Sequence, residues 1–217
     1  MTTLTVNISE VFSSIQGEST RAGTPCFFVR LAGCNLACSY CDTAYARRAR
    51  GRPVLVADLV QKFRASRLGL AEVTGGEPLL QPATPALLRR LGRHGRVLLE
   101  TNGSCDISAA PAETVVIMDI KTPSSGQAVA MDWANLQRLR AHDEVKFVLA
   151  GRSDYVWARA LVAKQRLESR CAAVLFSPVA GRLPPARLAE WILRDGLPVR
   201  LNLQWHKILW PARRRGV

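Results

Sequence analysis

Three cysteines, Cys34, Cys38 and Cys41, fall on one short segment with the spacing C-x3-C-x2-C. Three thiolates on one loop can converge on three corners of an iron–sulfur cube, which leaves the fourth iron free to bind a small molecule. Structural zinc is the rival, but it usually takes four ligands. No second C-x2-C or H-x3-H pair exists, and His94, His142 and His206 stand alone. The spacing therefore favours one [4Fe–4S] cluster. Cys26, Cys105 and Cys171 are scattered and read as buried small hydrophobes.

A second constellation is Thr74-Gly75-Gly76-Glu77-Pro78, directly after a short apolar segment. Glycines allow a backbone to approach a ligand closely, and carbonyls beside a carboxylate attract an ammonium group. A third signal is the scarcity of lysine, only five of the 30 basic residues. Lys121, Lys146 and Lys207 sit in or just after apolar segments. A lysine ammonium is a compact charge whose pKa shifts on burial, so these three are either site residues or caps on exposed strand ends.

The formal charge of +13 is almost entirely arginine. Its dense runs are Arg47-Arg48-Ala49-Arg50-Gly51-Arg52 and Arg213-Arg214-Arg215. Neither is interleaved with aromatics as a single-strand-binding groove would be, so a generally basic surface is the first reading and attraction of an anionic substrate the second. No nucleic-acid partner is expected. Nor is a membrane, because the apolar runs Val115–Met118 and Phe147–Ala150 are strand-sized. The N-terminus lacks a basic region followed by an apolar stretch, which makes the cytoplasm the expected compartment.

The elements that must position these residues alternate. Strands are expected at Cys26–Leu31, Leu70–Val73, Val97–Leu99, Val115–Ile120, Val145–Leu149, Ala173–Phe176 and Val199–Leu203. Helices are expected at Val56–Leu68, from Thr84 to near Gly92, at Asp132–Arg140, at Asp154–Leu167 with an aspartate cap, and at Pro185–Arg194. Alternation implies parallel strands with right-handed crossovers. About six to seven of them suit a partial, open TIM-like β/α barrel, since no glycine fingerprint of a doubly wound sheet follows the first strand. With no repeat or long linker, residues 1–217 read as one domain. The cysteine loop and the Gly-Gly-Glu loop then lie at the C-terminal ends of strands, where such architectures place their sites.

The cysteine triplet, with Tyr40 before its last member, and the Gly-Gly-Glu loop resemble the radical S-adenosylmethionine (radical SAM) superfamily. The resemblance narrows to the 7-carboxy-7-deazaguanine synthase family. It is carried over nearly the whole chain by Val11–Glu18, Phe28–Leu36, Cys41-Asp42-Thr43, Glu100-Thr101-Asn102-Gly103, Asp119–Pro123 and Gln204–Lys207. It implies a carbon–nitrogen lyase that contracts the ring of 6-carboxy-5,6,7,8-tetrahydropterin with loss of ammonia, in the route to queuosine and other 7-deazapurines. Its implied cofactors are the cluster, S-adenosylmethionine and Mg2+, and its implied partners a second copy of the chain and an external one-electron donor of flavodoxin or ferredoxin type. Cys34, Cys38 and Cys41 would ligate the cluster and Thr43 the Mg2+. Tyr40, Cys41, Asp42, Gly76, Glu77, Asp119, Ile120, Lys121, Ser177, Pro178 and Val179 would meet S-adenosylmethionine. Ile15, Gln16, Gly17, Glu18, Arg30, Thr74, Gln204, His206, Lys207 and Pro211 would meet the pterin, with Arg30 on its carboxylate.

The chain departs from the family's usual pattern at Asp119-Ile120 and at Ser177, which leaves the contacts to S-adenosylmethionine there open. Plainer readings also stand beside the implied ones. Arg30 is equally a strand-end charge, Thr43 a helix cap, Glu77 a turn residue, and Gln204, His206 and Lys207 the exposed face of a last strand. The other radical SAM reading is an activase for a protein partner. Such enzymes usually follow the last cysteine with His-Asn, where this chain has Asp42-Thr43. A non-enzymatic metal module on nucleic acid would leave the Gly-Gly-Glu loop unexplained.

Overall fold

The computed structural model describes residues 4–211 and 215–216. Arg213 and Arg214 of the basic tail lie outside them. One sheet of nine strands has the order β3-β1-β2-β4-β5-β6-β7-β8-β9. Its strands are β1 (Thr5–Ile15), β2 (Pro25–Leu31), β3 (Arg52–Leu55), β4 (Leu70–Gly75), β5 (Arg96–Thr101), β6 (Val115–Ile120), β7 (Glu144–Leu149), β8 (Ala173–Pro178) and β9 (Arg200–Leu201). β1 runs antiparallel to both β2 and β3, and β2 begins a run of parallel pairings that reaches β9. The helices α1 (Ala44–Arg48), α2 (Val56–Ser66), α3 (Thr84–Gly92), α4 (Asn135–Arg138), α5 (Arg152–Gln165), α6 (Pro185–Asp195) and α7 (Trp205–Leu209) fall between or after them. This is the expected partial barrel.

The two faces of the strands explain the curl. Outward residues such as Val29, Val73, Leu99, Val116, Val145 and Phe176 join Phe63 of α2, Leu88 of α3, Tyr155 of α5 and Leu188 of α6 in the main core. Each such side chain contributes about 1.5–3 kcal/mol on burial. Inward residues alternate with them, as a period of two requires. The floor of the lumen is apolar, with Cys26, Phe28, Leu70, Leu98 and Ile117 packed together and Phe12 stacked on Phe28. One step further along the same strands the inward positions turn polar: Arg30, Glu72, Thr74, Glu100, Asp119, Lys146 and Ser177. The change occurs toward the C-terminal strand ends.

Several expectations need correction. β1 and β3 were not anticipated, and the strand expected at Val199–Leu203 shrinks to Arg200–Leu201. Gln204, His206 and Lys207 are therefore not a strand face, because α7 carries His206 and Lys207. The helix expected at Asp132–Arg140 is one turn, Asn135–Arg138. Arg140 is drawn off its axis to Asp143 and to the carbonyls of Pro111 and Thr114. Asp154 is not a cap, since α5 begins at Arg152. Its fully buried carboxylate instead accepts from the N–H groups of Ser124 and Ala150 at 3.0 and 2.8 Å, tying the loop after β6 to the loop after β7.

Glu72 sits at the boundary between floor and charged layer, 4% exposed. The Gln16 amide donates to its carboxylate. Burial first, and then the nearby Glu100 charge, raise its pKa from the ordinary 4.5 to about 8, against the pull of Gln16 and Lys146. Below pH 4.5 folded and unfolded chains bind the same proton, so Glu72 adds no pH dependence. Between 4.5 and 8 the unfolded chain loses the proton first, and folding is penalised increasingly, in full above 8. Glu72→Gln keeps a partner for Gln16 and removes the penalty. In calorimetric melts its Tm should diverge upward from wild type from pH 4.5 to 8 and keep a constant gap beyond. A gap that does not grow with pH would contradict a protonated Glu72.

Candidate active site

The cysteine loop leaves β2 at Leu31 and crosses the end of the lumen. It is moored on three neighbouring strands. The Asn35 amide donates to the Ser104 hydroxyl beyond β5, at 2.8 Å. The Ser39 hydroxyl donates to the Ser124 carbonyl beyond β6, at 2.7 Å. The Tyr40 hydroxyl donates to the Val148 carbonyl of β7, at 3.1 Å. All three cysteines are free thiols, and Cys41 is exposed. Among the described residues no three cysteine, histidine or carboxylate side chains close on one point as a single metal ion would require. Burial raises the Cys38 thiol, with Lys121 working against it.

The Gly-Gly-Glu loop packs against the cysteine loop. A Cβ on Gly76 would lie 1.9 Å from the Gly33 carbonyl oxygen and 2.9 Å from Cys34 Cβ, so only glycine fits. The Glu77 N–H donates to that same carbonyl at 2.8 Å. Glu77 itself is fully buried. Its carboxylate accepts from the Thr101 hydroxyl (2.8 Å) and from the N–H groups of Leu79 (2.9 Å) and Asn102 (2.7 Å). Burial raises its pKa, and these three donors offset part of the rise. Expected to face an ammonium group, this carboxylate instead joins the end of β4 to the end of β5. Asn102, so placed, aims its amide at Cys34 Sγ (3.6 Å) and Asn35 (3.1 Å).

Inside the lumen the charges centre on Lys146, which is 3% exposed. Its ammonium contacts Glu18 (2.6 Å), Glu100 and Asp119 (3.3 Å). Burial alone would strip its proton, but the three carboxylates hold it well above the ordinary lysine range. Burial likewise opposes ionisation of Glu100, yet Lys146 and the Thr74 hydroxyl bring it down to about 2. Asp119 also pairs with Lys121 at 2.8 Å. Ile120 is buried in the outer core. Ser177, on the lumen face of β8, accepts from the Asn202 amide at 2.8 Å, and the Val179 N–H donates to Leu149.

Arg30 lies opposite Glu10, where a register shift in β1 brings the two into line. Its Nε donates to Glu10 at 2.7 Å, and Glu10 also accepts from the Tyr45 hydroxyl at 2.6 Å. Among the described residues the two outer guanidinium nitrogens have no hydrogen-bond partner, and they form the edge that grips a carboxylate bidentately. Gln16 is more committed. Its amide is taken by Glu72 and the Glu18 N–H, and its backbone by Gly23 and Thr24.

α7 closes the open side of the barrel. The Trp205 N–H donates to the Gly17 carbonyl (3.0 Å), Gln204 to Glu18 (2.9 Å), and Lys207 pairs with Asp42 (2.8 Å). His206 is partly buried there, and burial lowers its pKa. Burial opposes ionisation of Asp42, but Lys207 and the Thr43 hydroxyl hold its carboxyl below the usual range. Thr43 donates to Asp42 at 2.9 Å and makes no side-chain cap on α1. Ile15 ends β1, and Pro211 is exposed in the turn after α7. The site residues missed by sequence are Glu10, Tyr45, Glu72 and Asn202. Glu100 and Asn102 belonged to a recognised motif, but their places in the site were not read.

Comparison with known proteins agrees with this geometry. Residues 29–124 match the Radical SAM superfamily. The 7-carboxy-7-deazaguanine synthase of Chlorobaculum tepidum is 45% identical, over 98% of this chain and 97% of that protein. The one of Koribacter versatilis is 39% identical, over 98% of this chain and 100% of that protein. Escherichia coli QueE shares the fold, with a TM-score of 0.74 at 21% identity over 92% of this chain and 94% of that one. On these likenesses the chain belongs to the 7-carboxy-7-deazaguanine synthase family, within the radical SAM superfamily.

Proposed function

We propose that the chain contracts the ring of 6-carboxy-5,6,7,8-tetrahydropterin to 7-carboxy-7-deazaguanine with release of ammonia, as one domain. The observation that carries this is the packing of Gly76 on Gly33 and Cys34 at the mouth of a charged lumen. Free cysteines on a moored loop, beside a glycine with no room for a Cβ, suit a cluster and a closely approaching ligand. Cys34, Cys38 and Cys41 would hold the [4Fe–4S] cluster. Tyr40, Asp42, Gly76, Asp119–Lys121 and Ser177–Val179 would border S-adenosylmethionine. Bound together, the two would supply radical chemistry that begins with removal of a hydrogen atom from the substrate.

The lumen residues orient and charge-match the pterin. Arg30 offers its free edge to the substrate carboxylate. Glu18 and Glu100, both paired with Lys146, accept from the pterin's ring N–H groups. Thr43, next to the ionised Asp42, supplies an oxygen for Mg2+, a hard ion that keeps few protein ligands. Among the described residues no helix is long and apolar enough to cross a membrane. We read the protein as cytoplasmic and dimeric, with Trp205, Ile208 and Leu209, exposed on α7, covered by a second copy. None of the likenesses favours an activase.

Reconstituted anaerobically with S-adenosylmethionine, Mg2+, dithionite and the carboxypterin, the protein should form 7-carboxy-7-deazaguanine by mass spectrometry. Cys38→Ala should abolish it. 5′-Deoxyadenosine without that product would sink the substrate assignment. Omitting Mg2+ should raise KM for the pterin, and an unchanged KM would remove the metal from the scheme. Glu10→Gln keeps the Arg30 charge but loosens its aim. Losing a charged hydrogen bond of this kind should raise KM about tenfold with kcat little changed. A fall in kcat alone would show that Glu10 does not act through substrate binding.

A further inference from the structure

The densest run of arginine has no task in the reaction above. Arg47 and Arg48 lie in α1, Arg50 in the next loop, and Arg52 starts β3. Arg48, Arg50 and Arg52 are exposed. Arg30, Arg138, Arg140, Arg159, Arg187 and Arg194 each pair with a carboxylate, whereas among the described residues none of the four has an ion-pair partner within 4.0 Å. The nearby acids are occupied: Asp42 by Lys207, and Glu10 by Arg30 and Tyr45. Asp58, beside Arg52 in a shallow groove, is the exception, and Lys62 shares that groove with it.

The run is fixed against the cysteine loop. The Gly33 N–H donates to the Ala46 carbonyl at 2.9 Å. Gly51, at φ +70°, fits so closely that a Cβ there would lie 2.6 Å from Ala32 Cβ. Ala32 and Gly33 immediately precede Cys34, so both ends of the run are stapled to the root of the cysteine loop. Arg215, the described member of the second basic run, returns to the same place. The Arg215 guanidinium stacks 4.4 Å from the centre of the Tyr45 ring on α1, and the Gly216 N–H reaches Glu10. Arg215 thus joins the first run in one positive face, on the segment that follows Cys41, the exposed cysteine.

We propose that this face docks an acidic one-electron carrier protein of flavodoxin or ferredoxin type, which must reach the cluster from outside. The inference rests on the cluster reading above. On docking, the carrier loses one electron and the cluster gains it, with no atom transferred. Unpaired, exposed charge of one sign steers an oppositely charged protein and sets its approach rate. Nucleic acid fits less well, because Tyr45, the aromatic residue of α1, is already covered by Arg215 and the run Arg47–Arg52 itself has no aromatic residue for a base to stack on.

The test compares two reductants on the reconstituted full chain. Wild type and the triple variant Arg48→Glu/Arg50→Glu/Arg52→Glu are assayed for 5′-deoxyadenosine, with dithionite or with a purified acidic flavodoxin kept reduced by its reductase. With dithionite the two should agree within about twofold. With flavodoxin the variant's apparent KM for the carrier should rise about tenfold or more, and its rate should lose the salt sensitivity that wild type shows. Equal flavodoxin kinetics would overturn the proposal. So would loss of RNA binding with flavodoxin-driven turnover intact, which would give the face to nucleic acid. If wild type makes no 5′-deoxyadenosine even with dithionite, the cluster reading fails and the docking face falls with it. Should the triple variant lose dithionite activity, Arg48→Glu and Arg50→Glu singly, both on exposed side chains, take the same comparison.

Discussion

A buried ammonium must find carboxylates or give up its proton. At Lys146 that requirement organises the working end of the barrel. Its three partners come from three separate segments: Glu18 from the loop after β1, Glu100 from β5 and Asp119 from β6. Burial works against the charge on both Lys146 and Glu100, and their mutual attraction offsets it. Their mutual need fixes the loop after β1 against the parallel strands. Such clusters add little net stability over apolar packing, so their worth here is positional. Asp119 extends the set to Lys121, whose charge acts on Cys38. The Lys146 cluster and the cysteine loop are thereby joined through one carboxylate.

The two loops at the strand ends answer to a different constraint, the absence of a side chain. Gly76 lets the loop after β4 lie directly on Gly33 and Cys34. Glu77 then locks that loop to the end of β5 through three hydrogen bonds made in a dry environment, where each is strengthened and none can be left out cheaply. The carboxylate of the Gly-Gly-Glu motif thus acts on the backbone that forms the cradle. Asn102, oriented by Glu77, passes the arrangement on to Cys34 and Asn35.

Much of this was legible in the sequence, and the exceptions have physical causes. The parallel strands announced themselves because their outward faces are apolar and their ends are marked by glycine or proline. β1 did not, because Asn7, Ser9, Glu10, Ser13 and Ser14 interrupt its apolar pattern, and a strand with one polar face and an irregular register resembles a loop. The scarcity of lysine did single out Lys121, Lys146 and Lys207, which the structure joins in one set of contacts through Asp119, Glu18 and Gln204, whereas position alone could not separate them from strand-end caps. Glu72 and Glu10 gave no signal, since nothing local distinguishes an inward glutamate from an outward one. Only the sheet register shows that Glu10 meets Arg30 across strands. α7 escaped, and α4 proved shorter than expected, because tertiary hydrogen bonds, not periodicity, define them.

The barrel's open side shows how far such contacts can replace regular structure. β9 has two residues and pairs only with β8, so no ladder of strand hydrogen bonds runs from β9 back to β1. The gap is covered by the loop after β1 and by α7, a helix of five residues that is too short to persist alone in water. Its position depends on Trp205 at Gly17, Gln204 at Glu18 and Lys207 at Asp42. The first two attach it to the loop that Lys146 holds. The third attaches it to the residue after Cys41. Closure of the lumen against water and order in the cysteine loop are therefore coupled through one helix, and a disturbance at either end must be felt at the other.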